Sequence, residues 1–291
     1  MIDLLLSIVL ATYLVLCFRF FDRFRISNLH AIVLNYWTCV LTGILAAPGL
    51  SPPVYWLQQE WFPLAVALGL LFFVVFNLMG FLARHISATL TSLASKLSLV
   101  IPVLAAIILL REPMTWQKAV SLIMALASVV LFSLGGKASS GASPMQALLL
   151  ALVIFLGSGL NDTLVNLSVQ RYLTADAYHD FTVAVFSSAS LWGGLVLLGE
   201  SLWKRRLPSA RALAAGILLG IPNYFSLFFL TRALSWQALS SSTIIIINNT
   251  GIVALTATAA AVLFGERFDR NKLTGLVVSL LAMGLLYWSE R

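Results

Sequence analysis

Two ionisable side chains lie inside long apolar stretches of this sequence, Lys96 within Ala88–Leu110 and Asp162 within Met145–Val169. A charge held at membrane depth costs about 2.5 to 3.5 kcal/mol on insertion scales, so such residues face a cavity or a partner. Lys96 is too deep for easy snorkelling and shares a helical face, by spacing, with Thr89 and Ser92. Ser158, Asp162, Asn166 and Gln170 recur at every fourth position and draw a polar stripe, flanked by Asn161, on a helix otherwise made of Leu, Val and Phe. An ammonium in such a place suits a carboxylate or phosphate, so Lys96 and Ser92 are expected to bind substrate. A carboxylate offered two environments in turn can bind and release a proton, which makes Asp162 the candidate coupling residue. The competing reading of Asp162 is a helix end dipping into the interface near Arg171.

Other stretches carry amides and hydroxyls at helical spacing. Ser242, Asn249 and Thr256 repeat at heptad spacing with Asn248 beside them, and Asn35 precedes Thr38 and Thr42. Asn77 stands alone in its run, and Asn223-Tyr224 follows Gly220-Ile221-Pro222. Asn35, Asn77, Asn161, Asn223, Tyr224, Asn248 and Asn249 are therefore expected substrate contacts, with interhelical hydrogen bonding the competing role for Asn248 and Asn249. Pro222 removes a backbone hydrogen bond inside its helix, and Gly216 with Gly220 forms a small-xxx-small pair suited to close packing.

The elements that must position these groups are set by the solvent. The chain is 60% hydrophobic and 10% charged over 291 residues, more apolar side chain than one soluble core can bury. A helix needs about 20 mostly apolar residues to cross a bilayer. Ten runs qualify: Ile2–Phe18, Ala31–Ala47, Phe62–Ala83, Ala88–Leu110, Trp116–Leu134, Met145–Val169, Phe181–Gly199, Leu213–Leu230, Leu239–Phe264 and Leu273–Trp288. The first reads as a span, not a signal peptide, because no basic segment precedes it and no small-residue cleavage site follows before Arg19. The fifth and tenth carry only scattered Ser121, Ser128 and Ser279 and are expected at the periphery. Trp56, Trp61, Trp116, Trp236, Tyr287 and Trp288 sit at run ends, where headgroup anchoring is expected.

Several function classes are excluded. The net charge of +7 comes from short basic groups between apolar runs, with no patch for nucleic acid. Cys17 and Cys39 are isolated, and His30, His85 and His179 fall at run ends without ligand spacing, so neither a disulfide framework nor a metal site is expected. No His-Glu-x-x-His or Gly-x-Ser-x-Gly motif occurs, and Gly135-Gly136-Lys137-Ala138 lacks the parts of a phosphate-binding loop. No catalytic residue and no cofactor are expected, and an enzyme is the weaker alternative.

The sequence also repeats. Residues 135–143 have linker composition and divide five runs from five. Arg111-Glu112-Pro113 closes the fourth run and Gly265-Glu266-Arg267 the ninth, with Lys118 and Lys272 at equal distances beyond. An odd number of spans per half makes the second copy enter from the opposite face, so the expected fold is all-α, ten transmembrane helices as two inverted five-helix repeats, 1–134 and 144–291. Aligning the two glutamates sets Lys96 opposite Thr250, beside Asn249.

Ala94-Ser95-Lys96-Leu97-Ser98-Leu99-Val100-Ile101-Pro102 leading to Glu112, and Ser242-Thr243-Ile244 through Asn248-Asn249 leading to Glu266, resemble the drug/metabolite transporter superfamily in its EamA-like branch. The resemblance implies a multi-pass protein of the bacterial inner membrane, with a central cavity and alternating access. The substrate it implies is a small polar metabolite such as an amino acid, a sugar or a sugar phosphate. A lipid or lipid-linked sugar flippase on the same fold is the alternative, and a homodimer stays open. The resemblance puts both termini in the cytoplasm, whereas the larger share of Lys and Arg on the opposite loops puts them outside by the positive-inside rule. Orientation is left open.

Overall fold

The computed structural model describes residues 1–23, 26–82, 88–133, 144–204, 208–264 and 270–289. Glu266 and the linker at 135–143 lie outside them, as do the side chains of Thr89 and Lys272. The described residues are helices and short connections with no strand. In chain order the helices are α1 (Ile2–Arg23), α2 (Asn28–Ala46), α3 (Pro53–Trp56), α4 (Phe62–Leu82), α5 (Ala88–Leu97), α6 (Val100–Leu109), α7 (Trp116–Ser133), α8 (Pro144–Arg171), α9 (Tyr178–Lys204), α10 (Ala210–Leu234), α11 (Ser241–Phe264) and α12 (Arg270–Ser289). Seven spans are long and apolar enough to cross a membrane, counting α5 and α6 as one, and α1, α7 and α12 carry shorter apolar stretches.

Lipid as solvent explains both the length and the outer surface of these helices. Backbone polar groups have no water to bond in hydrocarbon, so each crossing must satisfy them internally. Leu41, Ile44, Ile108, Ile123, Leu148, Leu195, Val262 and Leu280 are large, apolar and exposed, each on an outward face. The polar residues turn inward: Asn35, Asn161, Asn166, Asn248, Thr182 and Thr250 are all buried.

The fourth run departs from the sequence expectation, because it is two helices and not one. Pro102 has no N–H to give the carbonyl of Ser98, and that carbonyl accepts from Ile101 N at 2.9 Å in a tighter turn. α5 therefore stops at Leu97, one residue past Lys96. At the far end of α6, Arg111 adopts φ 56°, a left-handed conformation that costs a non-glycine residue about 1 to 2 kcal/mol.

α10 packs along α2 and α1, α4 along α9 and α8, and α7 along α12. The α2/α10 contact is close enough to require glycine. A Cβ on Gly220 would stand 2.7 Å from Asn35 O, and one on Gly216 would stand 2.9 Å from the Leu34 carbonyl carbon. Gly69 of α4 meets α9 in the same way, 2.8 Å from Ala189 N. Backbone atoms cannot rotate aside, so Gly220→Leu is expected to force the helices apart. The expected loss is at least the 1 to 3 kcal/mol typical of overpacking, about the upper end, read as a lower melting temperature in detergent. An unchanged melting temperature would show that α2 and α10 are not held at this distance.

Two of the expected headgroup anchors are corrected. Trp56 is 6% and Trp61 2% exposed, and the Trp61 ring meets Phe181 edge-on at 5.9 Å. The connection holding α3 folds back over the core, so these rings pack as core side chains. Trp116 and Trp288 are exposed. Ser121, Ser128 and Ser279 are fully buried; α7 and α12 nevertheless present Ile123, Val130, Val277 and Leu280 outward.

Candidate functional site

Lys96, Asp162 and Asn249 come from three helices and meet. Lys96 Nζ lies 3.5 Å from Asn249 Oδ1, and Asn249 Nδ2 donates to Asp162 Oδ2 at 3.1 Å and to Ile245 O at 3.3 Å. The amide thus turns its oxygen to the cation and its N–H to the carboxylate, the orientation in which both ends are satisfied. The helix break sharpens the electrostatics. Lys96 is in the last turn of α5, at the negative end of the helix dipole, which favours a cation. Lys96 and Asp162 remain half-buried, and Ser92, one turn before Lys96, is exposed. A neutral amide thus bridges two opposite charges that are both only partly buried.

The stripe on α8 is a seam along which each member bonds another helix. Ser158 Oγ donates to Ser95 Oγ at 3.4 Å, Asn166 Nδ2 to Ser241 Oγ at 2.7 Å, and Gln170 Nε2 to Leu234 O at 2.6 Å. Among the described residues, no hydrogen bond joins the others singled out from sequence to this trio. Asn223 Nδ2 donates to Asn35 Oδ1 at 3.2 Å, and Cys39 Sγ contacts Gly220 O at 3.2 Å, so these groups fasten α2 to α10. Asn248 Oδ1 accepts from Ser7 Oγ at 3.3 Å, fastening α11 to α1. Asn77 bonds Phe73 O in its own helix at 2.7 Å. Asn161 is 5% exposed and its Oδ1 has no hydrogen-bond partner among the described residues. Tyr224 is fully buried, its hydroxyl 2.6 Å from His179 Nδ1, and the His179 ring stacks on Phe228 at 4.0 Å.

The helix ends on the face of Met1 carry polar ties that sequence reasoning did not anticipate. Arg232 NH2 lies 3.6 Å from Asp3, and Asp180 Oδ1 accepts from Ser51 N at 3.0 Å. Glu112 binds the start of α11 through Ser241 and Ser242. In sequence Glu112 served only as a marker of the repeat. The available signal was a carboxylate just past one helix and the serines Ser240-Ser241-Ser242 opening another, but nothing local pairs the two.

No group of His, Cys, Asp and Glu that could hold a metal ion occurs among the described residues.

Comparison with known proteins agrees with this architecture. An uncharacterized protein of Haemophilus influenzae is 28% identical over 268 residues, spanning 90% of this chain and 89% of its own. A solved crystal structure covers 100% of this chain and 96% of its own with TM-score 0.78 at 15% identity, a likeness of fold. The EamA-like transporter family model matches residues 2–134. The chain is an integral multi-pass membrane protein whose residues 2–134 match the model of the EamA-like transporter family.

Proposed function

We propose that the protein is a secondary active transporter of a small polar metabolite, working by alternating access between two inverted five-helix halves. The observation that carries this is the Lys96–Asn249–Asp162 trio: two opposite charges and an amide from three helices, beside a helix break. Broken helices whose ends face a polar site are how transporters present charge at the bilayer midplane. Ionisable residues at membrane depth commonly mark substrate and ion pathways.

The packing supports the repeat. Matching α1, α2, α4, α5 with α6, and α7 to α8, α9, α10, α11 and α12 turns each main pair of packed helices into another. α2/α10 becomes α9/α4, α1/α11 becomes α8 with α5 and α6, and α2/α9 and α7/α12 map onto themselves. A two-fold relation between the halves has this property. The family match ending at residue 134 supports dividing the chain there. On this reading the three shorter apolar helices cross as well and join the seven long spans to make ten. The ties at Asp3–Arg232, Ser51–Asp180 and Glu112–Ser241 cross between halves on one face, which fits a conformation shut on the termini side.

Amino acids, sugars and sugar phosphates screened by thermal shift on the purified protein test the substrate class, because a ligand stabilises the state it binds. A ligand at about 100 times its Kd adds about 2.7 kcal/mol. The expected result is a melting-temperature rise with at least one polar solute that disappears in Lys96→Ala. A rise that survives Lys96→Ala unchanged would place binding elsewhere.

A further inference from the structure

Glu112 is a charge in a built environment that the Lys96 site does not use. It lies between α6 and α7, in the first half, yet its carboxylate occupies the N-terminus of α11 in the second. Oε1 accepts from Ser241 N at 2.9 Å and from Ser241 Oγ at 2.6 Å. Oε2 accepts from Ser242 N at 3.2 Å and from the Ser242 hydroxyl. Lys118 of α7, 3% exposed, brings its Nζ to 3.7 Å from Oε2. The carboxylate therefore satisfies amides that a helix start leaves without partners inside the helix, and meets the positive end of the dipole. The turn that delivers it is held in a disfavoured conformation at Arg111.

A helix cap is ordinarily supplied by the residue next to the helix, and persists whatever the rest of the molecule does. This one is supplied from the other half, so it exists only while the halves are together on this face. Lys118 belongs to the same half as Glu112 and would move with it.

We infer that Glu112 is the latch of the termini-side face, holding it shut by capping α11 and withdrawing when that face opens. The latch rests on the alternating-access reading proposed above. Without Glu112, the start of α11 loses four hydrogen bonds and the closed state loses population to the open one.

Cysteine labelling in nanodiscs tests this, since both faces then meet the reagent and orientation does not enter. The background is Cys17→Ser with Cys39→Ser. The reporter is Val169→Cys, 5% exposed near the termini-side end of α8; the control is Ile154→Cys, fully buried on the same helix. Glu112→Ala is expected to raise the maleimide labelling rate at Val169→Cys about tenfold or more and leave Ile154→Cys unchanged. Glu112→Gln, which keeps an acceptor oxygen without the charge, is expected to give a smaller rise. An unchanged rate at Val169→Cys would mean that Glu112 is a fixed cap, and equal acceleration at both positions would mean general loosening; either overturns the latch. Labelling needs no substrate, so the latch is decided here while the transporter reading is decided by solute movement and by Lys96→Ala.

Discussion

Lys96→Ala is expected to abolish solute binding and transport while leaving expression and helical content near normal. The ammonium is the one cation in the trio, lying 3.5 Å from Asn249 Oδ1 at the carbonyl end of α5. Its removal leaves Asp162 facing an amide alone. Truncating one partner of a buried, hydrogen-bonded charge pair costs about 2 to 5 kcal/mol, so an anionic substrate group should lose about two orders of magnitude in affinity. Folding is spared the same loss because Asp162 is half-buried and can take up a proton. Lys96→Arg keeps the charge but spreads it over a planar fork of donors, so it should retain binding in part. Reconstituted liposomes and circular dichroism on the same preparations read the two halves of this expectation. Full transport by Lys96→Ala would make this lysine a structural residue.

Asp162→Asn is expected to separate movement from accumulation. The substitution keeps the shape and the hydrogen bonding toward Asn249 and removes only the titration. If Asp162 carries the coupled proton, an imposed gradient of about one pH unit supports about tenfold accumulation per proton in the native protein. The variant should exchange solute across the membrane yet reach no more than equal concentrations on the two sides. Uphill accumulation by Asp162→Asn under the same gradient would remove Asp162 from the coupling step and leave it as a fixed partner of Lys96 or a contact for a substrate amine.

Much of the helical frame is legible in the sequence because the bilayer imposes a length. Runs such as Phe62–Ala83 and Met145–Val169 differ from the observed Phe62–Leu82 and Pro144–Arg171 only at their ends. The break after Leu97 was legible too, through Pro102, but an unbroken apolar run hides it unless the missing N–H is followed to its carbonyl. Lys96 and Asp162 were visible because charge inside an apolar run has few explanations. Asn249 was visible less directly, as the neighbour of the residue that the repeat sets opposite Lys96.

Residue types do not say which amide meets which. Asn35, Asn223 and Asn248 have the same chemistry as Asn249, yet they fasten α2 to α10 and α11 to α1, because helix rotation and neighbour choice are decided by packing. Glycine carries some of that information: Gly216 and Gly220 marked the close approach of α10, though not the identity of its partner. Trp56 and Trp61 were misread because position at a run end suits an anchor and a core ring equally, and only the fold-back of the connection decides between them.

Counterflow in proteoliposomes tests the central claim most directly, using a solute that raises the melting temperature of the native protein. A site exposed to one side at a time predicts saturable entry of labelled solute that is accelerated when the liposomes are loaded with the same solute unlabelled, with both effects lost in Lys96→Ala. Entry that rises linearly with concentration and ignores the internal solute would contradict alternating access and describe an open pore.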